Sequence, residues 1–187
     1  LLLSAEYSVL RGASAIAVPT KKGQWLETSS HALNHLQYTA LDERHETWLN
    51  FNLSHVSKQE EQMVKDLLMA AFGTNPIPNL AVPTRLDFPR DWGLGSSSTF
   101  VSLIAQWAET DVWPLFFQHL KGSGYDVAVA EAKTSIKYQL LAPQKPIWEK
   151  IKVPPFFADT HLVYLGQKQN SALEVDRFLD QKEQLSV

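Results

Sequence analysis

Apolar and polar positions change period several times along the chain, and each change marks an element. Leu1–Leu3, Ala15–Val18 and Trp25–Ser29 are short apolar-rich runs that predict strands. Leu36–Thr39 and Trp48–Leu53 predict a further pair, separated by the polar turn Asp42-Glu43-Arg44-His45-Glu46. Ser57-Lys58-Gln59-Glu60 has the form of a capping box, and Val64, Leu67, Leu68, Ala71 and Phe72 follow at helical spacing. The spacing predicts a helix over 58–72, closed by Gly73 and Pro76. Val82, Thr84, Leu86 and Phe88 alternate with polar residues as a half-buried strand, and Pro83 points to a sheet edge. Phe100, Leu103, Ile104 and Trp107 lie at i, i+3, i+4 and i+7 and predict a second helix from Ser97. Tyr125–Ala130 and Ser135–Leu141 read as paired strands, and Leu162–Leu165 as another. Ser171-Ala172-Leu173-Glu174 repeats the capping pattern and opens a helix with Val175, Phe178 and Leu179 on it. This order of elements predicts an α+β fold. Pro143, Pro146, Pro154 and Pro155 make 142–157 the most linker-like stretch, so a domain boundary is expected near 157, dividing the chain into 1–157 and 158–187.

Composition narrows the function classes. A chain of 187 residues with 44% hydrophobic content has enough material for a sizeable core. Lys+Arg of 17 against Asp+Glu of 20 gives a formal charge of −3, and no basic tract interrupts it, which disfavours a broad grip on nucleic acid. The absence of cysteine excludes disulfides, thiolate metal sites and cysteine nucleophiles, and fits the cytoplasm. No run approaches the roughly 20 apolar residues of a membrane helix. Glu6 and Arg11 interrupt the leading leucines too early for a signal peptide, so those leucines read as a buried strand that starts upstream of Leu1. His31 and His35 have the spacing of a helical metal pair, but the Ser and Asn residues around them favour a loop or strand, and no acidic motif accompanies them.

Three segments carry candidate chemistry. In Gly93-Leu94-Gly95-Ser96-Ser97-Ser98-Thr99, two glycines permit tight turns and close approach of a ligand, and hydroxyls fill the first helical turn. Free backbone N–H groups and the helix dipole favour a phosphate there. The same residues also make an ordinary Ser-rich cap, and the Gly-Lys-Ser/Thr of a Walker loop is absent. Lys121-Gly122-Ser123-Gly124-Tyr125-Asp126 places one carboxylate beside a glycine-rich turn, at the edge of the expected strand, where it can take a proton from a hydroxyl or serve as a turn residue. Glu6, after the first strand, is either a group near a metal–nucleotide or a solvated acid.

Taken together, the three segments resemble the GHMP kinases, the group of galactokinase, homoserine kinase and mevalonate kinase. Leu2-Leu3-Ser4-Ala5-Glu6-Tyr7-Ser8-Val9-Leu10-Arg11-Gly12 is similar to that family's first motif, with Ala5 in place of the usual Gly and Tyr7 in place of His. Gly93-Leu94-Gly95-Ser96-Ser97-Ser98 resembles its phosphate loop. Gly124-Tyr125-Asp126-Val127-Ala128 resembles the segment of the catalytic aspartate, and is nearest to a bacterial subgroup with a Gly-Tyr-Asp-Ile-Ala signature. The resemblance implies a ribosomal-S5-like N-terminal domain over 1–157. The start of a ferredoxin-like domain follows over 158–187, cut short before the family's third, glycine-rich motif. It implies ATP and Mg²⁺ as cofactors and a small-molecule alcohol as acceptor, with a mevalonate-like acceptor as the first expectation. Residues Gly93, Leu94, Gly95, Ser96, Ser97 and Ser98 would hold the phosphates, Ser97 and Glu6 would lie at the metal, and Asp126 would be the base. Trp92, next to the loop, would shape the nucleotide pocket. Counting back from Asp126 to the family's metal glutamate reaches Leu115, which cannot bind a metal. That departure keeps two alternatives open: a non-catalytic nucleotide-binding relative, or an ATP-dependent decarboxylase of the mevalonate diphosphate type. The sequence sets no oligomeric state, and a homodimer is compatible with it.

Overall fold

The computed structural model describes residues 1–32, 34–142, 144–166 and 171–180. Pro143 of the proline-rich stretch and the tail 181–187 of the expected second domain lie outside the described residues.

The fold is α+β with two sheets. The first has the order β1 (Ala15–Ala17), β7 (Ile136–Ala142), β8 (Lys145–Lys150), all antiparallel. The leading leucines extend it by an isolated bridge and not as the buried strand expected: Leu1 and Leu2 are half-buried and Leu3 is exposed. Leu2 bridges Ala17, and Leu1 and Val18 exchange backbone hydrogen bonds at 2.8 Å. The second sheet runs β2 (Gln24–Leu26), β6 (Leu80–Leu86), β4 (Gln37–Leu41), β5 (Thr47–Asn52), with β3 (Ser29–Ser30) also on β6. Among the described residues only the β4–β6 pair is parallel, and the chain makes that crossover through β5 and α1 (Gln59–Phe72).

Pro83 therefore sits in a central strand, not at an edge. Its missing N–H falls where β2 gives way to β3. There Glu27 donates to the Pro83 carbonyl at 3.0 Å, and the proline has no donor to return. The capping box of α1 is displaced by one residue from the expected Ser57/Glu60 pair. Glu61, not Glu60, reaches back, and its carboxylate accepts from the Ser57 N–H, the Ser57 hydroxyl and the Lys58 N–H. Those bonds, the Ser57 N–H foremost, hold the Glu61 pKa below its ordinary value.

The helices α2 (Ser96–Trp107), α3 (Val112–His119) and α4 (Tyr125–Ala132) form a layer between the sheets. One core lies under the second sheet and gathers Tyr38, Phe51, Leu68, Val82, Ile104 and Phe116 with their neighbours. The other lies against the first sheet and gathers Val9, Ala17, Ala128, Ile136 and Tyr138. Helix α4 serves both, through Val127 on one side and Ala128, Val129 and Ala132 on the other.

Three expectations change here. Residues 125–130 are helical, not a strand, because both sides of the segment are buried and its Val/Ala alternation carries no period that separates the two states. Residues 162–165 form no strand and their apolar side chains are exposed. The proline-rich stretch contains β8 and a 3-10 turn at Pro155–Asp159. The helix predicted after Ser171 is present as α5 (Ser171–Asp180).

Candidate functional site

The site begins with two turns that deliver helix N-termini to one place. Gly93 and Gly95 adopt φ of +70° and +75°, left-handed values that glycine takes without strain. They lead into α2 at Ser96. Gly124, at φ +79°, leads into α4 in the same way. A Cβ on Gly124 would lie 2.8 Å from the Trp113 ring, so only glycine lets this turn pack against α3. A Cβ on Gly95 would lie 3.3 Å from Asp126 Oδ2, so the glycine loop and the Asp126 carboxylate are immediate neighbours.

Asp126 is thus in the first turn of a helix, where the dipole favours its charge, and not on a strand edge. The Val127 N–H donates to Oδ1 at 3.1 Å and the Ser98 hydroxyl bonds the same carboxyl group. Part of the side chain reaches the cavity surface, while protein packs densely around the carboxyl group. That burial pushes its pKa above the ordinary value, and the Ser98 and backbone hydrogen bonds pull it partly back. A carboxylate raised in this way is a stronger base than one on the surface. The loop before α4 is anchored from below by Tyr138, whose buried hydroxyl donates to the Ser123 carbonyl.

Two cavities meet at Asp126. The larger, about 560 Å³, is lined by Gly93, Leu94, Gly95 and Asp126 at one end and by Gln24 and Lys133 farther along. The smaller, about 120 Å³, is lined by Glu6, Tyr7, Ser98, Lys121, Ser123 and Asp126 among others. Asp126 and Tyr125 belong to both walls. Burial, with Asp126 adding to it, raises the Tyr125 pKa above its ordinary value, and the hydroxyl is a donor at neutral pH as an ordinary tyrosine is.

The expected residues divide accordingly. Gly93, Leu94 and Gly95 line the larger cavity, and Ser96 starts α2. Ser98 is buried against Asp126, whereas Ser97 is exposed and lines neither cavity. Glu6 and Asp126 share the smaller cavity. Trp92 lines neither, and stacks on Tyr164 with ring centroids 6.3 Å apart, while the Tyr164 hydroxyl donates to Asp91. Leu115 is buried in the core, so no carboxylate stands at that position. His31 and His35 meet edge to face at 5.9 Å, and among the described residues no group of three or more His, Cys, Asp or Glu is arranged to hold a metal. Mg²⁺ asks for less than that, since it is commonly held by one or two carboxylates together with phosphate oxygens and water. The hard oxygen donors Asp126, Glu6 and Ser98 around one cavity fit that chemistry. Sequence reasoning found α5 as a helix but gave it no part in the site. Its residues Ser171 and Val175 close the smaller cavity, and it docks through Arg11 to the Phe178 carbonyl at 2.9 Å, through Tyr7 on the Phe178 ring, and through a Lys121–Asp176 ion pair at 2.8 Å.

No family model matches the chain, and no curated protein matches it. Solved structures do. The mevalonate kinase of Methanococcus jannaschii matches with a TM-score of 0.58 at 15% identity, covering 82% of this chain and 53% of that one. A D-glycero-D-manno-heptose 1-phosphate kinase from B. thetaiotaomicron matches with a TM-score of 0.60 at 18% identity, over 83% of this chain and 56% of that one. The L. major mevalonate kinase solved with R-mevalonate matches with a TM-score of 0.60 at 16% identity, over all of this chain and 60% of that one. The chain therefore spans between about half and three fifths of the length of these structures. Identities this low speak to architecture, and on that evidence the chain has the α+β fold of the GHMP kinases.

Proposed function

We propose that this protein phosphorylates a small-molecule alcohol at the expense of ATP. The observation that carries the reading is the position of Asp126, in the wall shared by a cavity lined by the glycine loop and a smaller one of about 120 Å³. The larger cavity falls within the range of about 300–1,000 Å³ usual for ligand pockets. In this reading the backbone N–H groups at Gly93–Ser98 bind the terminal phosphates, with Glu6, Ser98 and Asp126 as the oxygen groups nearest a metal ion. ATP supplies the phosphoryl group, and Mg²⁺ offsets its charge. Asp126 orients the acceptor hydroxyl and takes its proton as the new O–P bond forms and the bond to the ADP leaving group breaks. Ser98 fixes the carboxylate, and Tyr125 supplies a neutral donor beside it. Little covalent work is left to the protein, so positioning and charge compensation suffice.

The acceptor is proposed to be mevalonate-like, and the Gly124–Ala128 segment supports placement beside the bacterial subgroup named above. A division near residue 157 into a nucleotide-binding unit and the start of a second domain belongs to the same proposal. Among the described residues no helix is long and apolar enough to cross a membrane.

The test is nucleotide binding followed by ATP turnover across a panel of alcohols. Asp126→Asn is expected to abolish transfer while nucleotide still binds, and turnover unchanged in both Asp126→Asn and Ser98→Ala would overturn the assigned roles. The burial of Leu115 favours one rival, a nucleotide-binding protein without transfer. ATP binding with no alcohol phosphorylated would establish it.

A further inference from the structure

Strand β7 reaches both of the turns that bring acidic groups to the smaller cavity. It is the central strand of the first sheet, with Tyr138 paired to Ala15 of β1 on one side and to Trp148 of β8 on the other. A strand held along both edges is a rigid reference for whatever its side chains grip.

Neighbouring residues on a strand point to opposite faces. Tyr138 is fully buried, and its hydroxyl donates to the Ser123 carbonyl. That carbonyl belongs to the turn Gly122-Ser123-Gly124, which enters α4 just before Asp126. Gln139 points the other way, and its side-chain amide donates to the Gly12 carbonyl at 2.6 Å. Gly12 closes the 3-10 turn Ser8–Arg11 that follows Glu6. A Cβ on Gly12 would lie 3.4 Å from the Leu140 carbonyl, so this turn also runs against β7. Phenylalanine at 138 would fill the same space with no buried hydroxyl to satisfy. The polar tip is what needs a reason, and it ends on the turn of Asp126.

We infer that Tyr138 and Gln139 are positioning residues: from adjacent places on β7 they set the Asp126 turn and the Glu6 turn against each other, and so fix the separation of the two carboxylates across the smaller cavity. Neither touches a reacting atom in this role. The effect on turnover rests on the kinase reading of the site, whereas the effect on the turns rests on the two hydrogen bonds alone. Displacing a reacting group by about 1 Å can cost ~10²-fold in rate, so a lost anchor is expected to show in kcat before it shows in binding.

The experiment compares wild type with Tyr138→Phe, Gln139→Leu and a matched control, Tyr38→Phe. Tyr38 is buried in the other core with its hydroxyl 2.8 Å from that of Thr84, so the control also loses one buried hydrogen bond. Thermal melts read global stability. ATP turnover with mevalonate, or with the best acceptor of the alcohol panel, reads kcat and KM. Amide hydrogen exchange reads each turn: the Ala128 N–H, bonded to the Gly124 carbonyl at 3.0 Å, reports on the entry to α4, and the Gly12 N–H, bonded to the Val9 carbonyl at 3.1 Å, on the other turn. Tyr138→Phe is expected to speed exchange at Ala128 at least ~10-fold more than the control does, with Gly12 as in the control. Gln139→Leu is expected to do the opposite. Both are expected to lower kcat, Tyr138→Phe by ~10-fold or more, with the nucleotide KM within about twofold of wild type. Tyr38→Phe is expected to keep the wild-type kcat at a comparably lowered Tm. Gln139→Leu, at a half-buried site, carries the test if the core variant does not fold. The inference is overturned if exchange does not follow this crossed pattern, or if kcat in Tyr138→Phe falls no further than in Tyr38→Phe. Crossed exchange in a protein that phosphorylates no alcohol would instead sink the kinase reading and leave the anchoring standing. Transfer with uncrossed exchange would do the reverse.

Discussion

Asp126 shows what a buried carboxyl group costs the fold. Its carboxyl is pushed up chiefly by burial, so the folded protein holds its proton to higher pH than the unfolded chain does. Between the ordinary carboxylate pKa and the raised one, the folded form binds more protons, and stability falls as pH rises through that window. Asp126→Asn keeps the shape and removes the buried charge. It is expected to melt at a higher temperature than wild type at pH 7, with the difference vanishing below the ordinary carboxylate range, while kcat falls by ~10² or more. Thermal melts across pH and a turnover assay check both halves. Ala5 carries strain of another kind. It stands where the resemblance expects Gly, and it adopts φ +63°. A left-handed non-glycine residue costs about 1–2 kcal/mol, part of which a glycine gives back as unfolded-chain entropy. Ala5→Gly is expected to stabilise the protein by roughly 0.5–1 kcal/mol in urea unfolding. That site was visible in the sequence as a motif departure. Its conformation was not, because a single residue's φ depends on what packs around the turn.

At the scale of elements, the sequence was legible wherever one face alone is buried. Helix α1 and the alternating strand β6 show clear periods because each has a polar side. Helix α4 is buried against two cores, and its apolar residues fit period 2 as well as 3.6. The same burial that hid its helical state places Asp126 between the cavities. Helix α3 was missed although its signals exist: Asp111 caps it by accepting from the Trp113 N–H at 3.1 Å, and Pro114 falls in the first turn, where its missing N–H does no harm. The glycine loop and the start of α2 were readable within a residue. The contact between Ser98 and Asp126 was not, since it depends on how α2 and α4 pack. Two predictions belong here. Gly124→Ala must move the Trp113 ring and adopt a strained φ, so it is expected to lose about 2 kcal/mol or more and to shift Asp126, lowering kcat as well as Tm. Glu61→Gln removes the charge that its capping bonds stabilise. Its carboxyl is held below the ordinary value, so that contribution is present above the unfolded pKa and lost as pH falls through the folded one. The variant is expected to melt below wild type at pH 7 and to converge with it in acid.

On the proposed reading, a bound nucleotide would couple these elements across the whole molecule. The two sheets contribute separate cores, and the helical layer joining them carries the glycine loop and Asp126 on adjacent helix ends. A nucleotide bound there ties α2 to α4 and is expected to stabilise both halves together, by about 2.7 kcal/mol at a ligand concentration a hundredfold above Kd. Two substitutions separate this linkage from general stability. Leu68→Ala empties a fully buried position beneath the second sheet and is expected to cost about 2–5 kcal/mol, while the nucleotide-induced rise in Tm persists. Gly95→Ala strains a φ of +75° and pushes a methyl group toward Asp126 Oδ2 at 3.3 Å. It is expected to erase most of the nucleotide-induced rise. If instead the rise survives in Gly95→Ala and is lost in Leu68→Ala, the phosphates bind away from the loop, and the larger cavity serves some purpose other than holding the nucleotide beside Asp126.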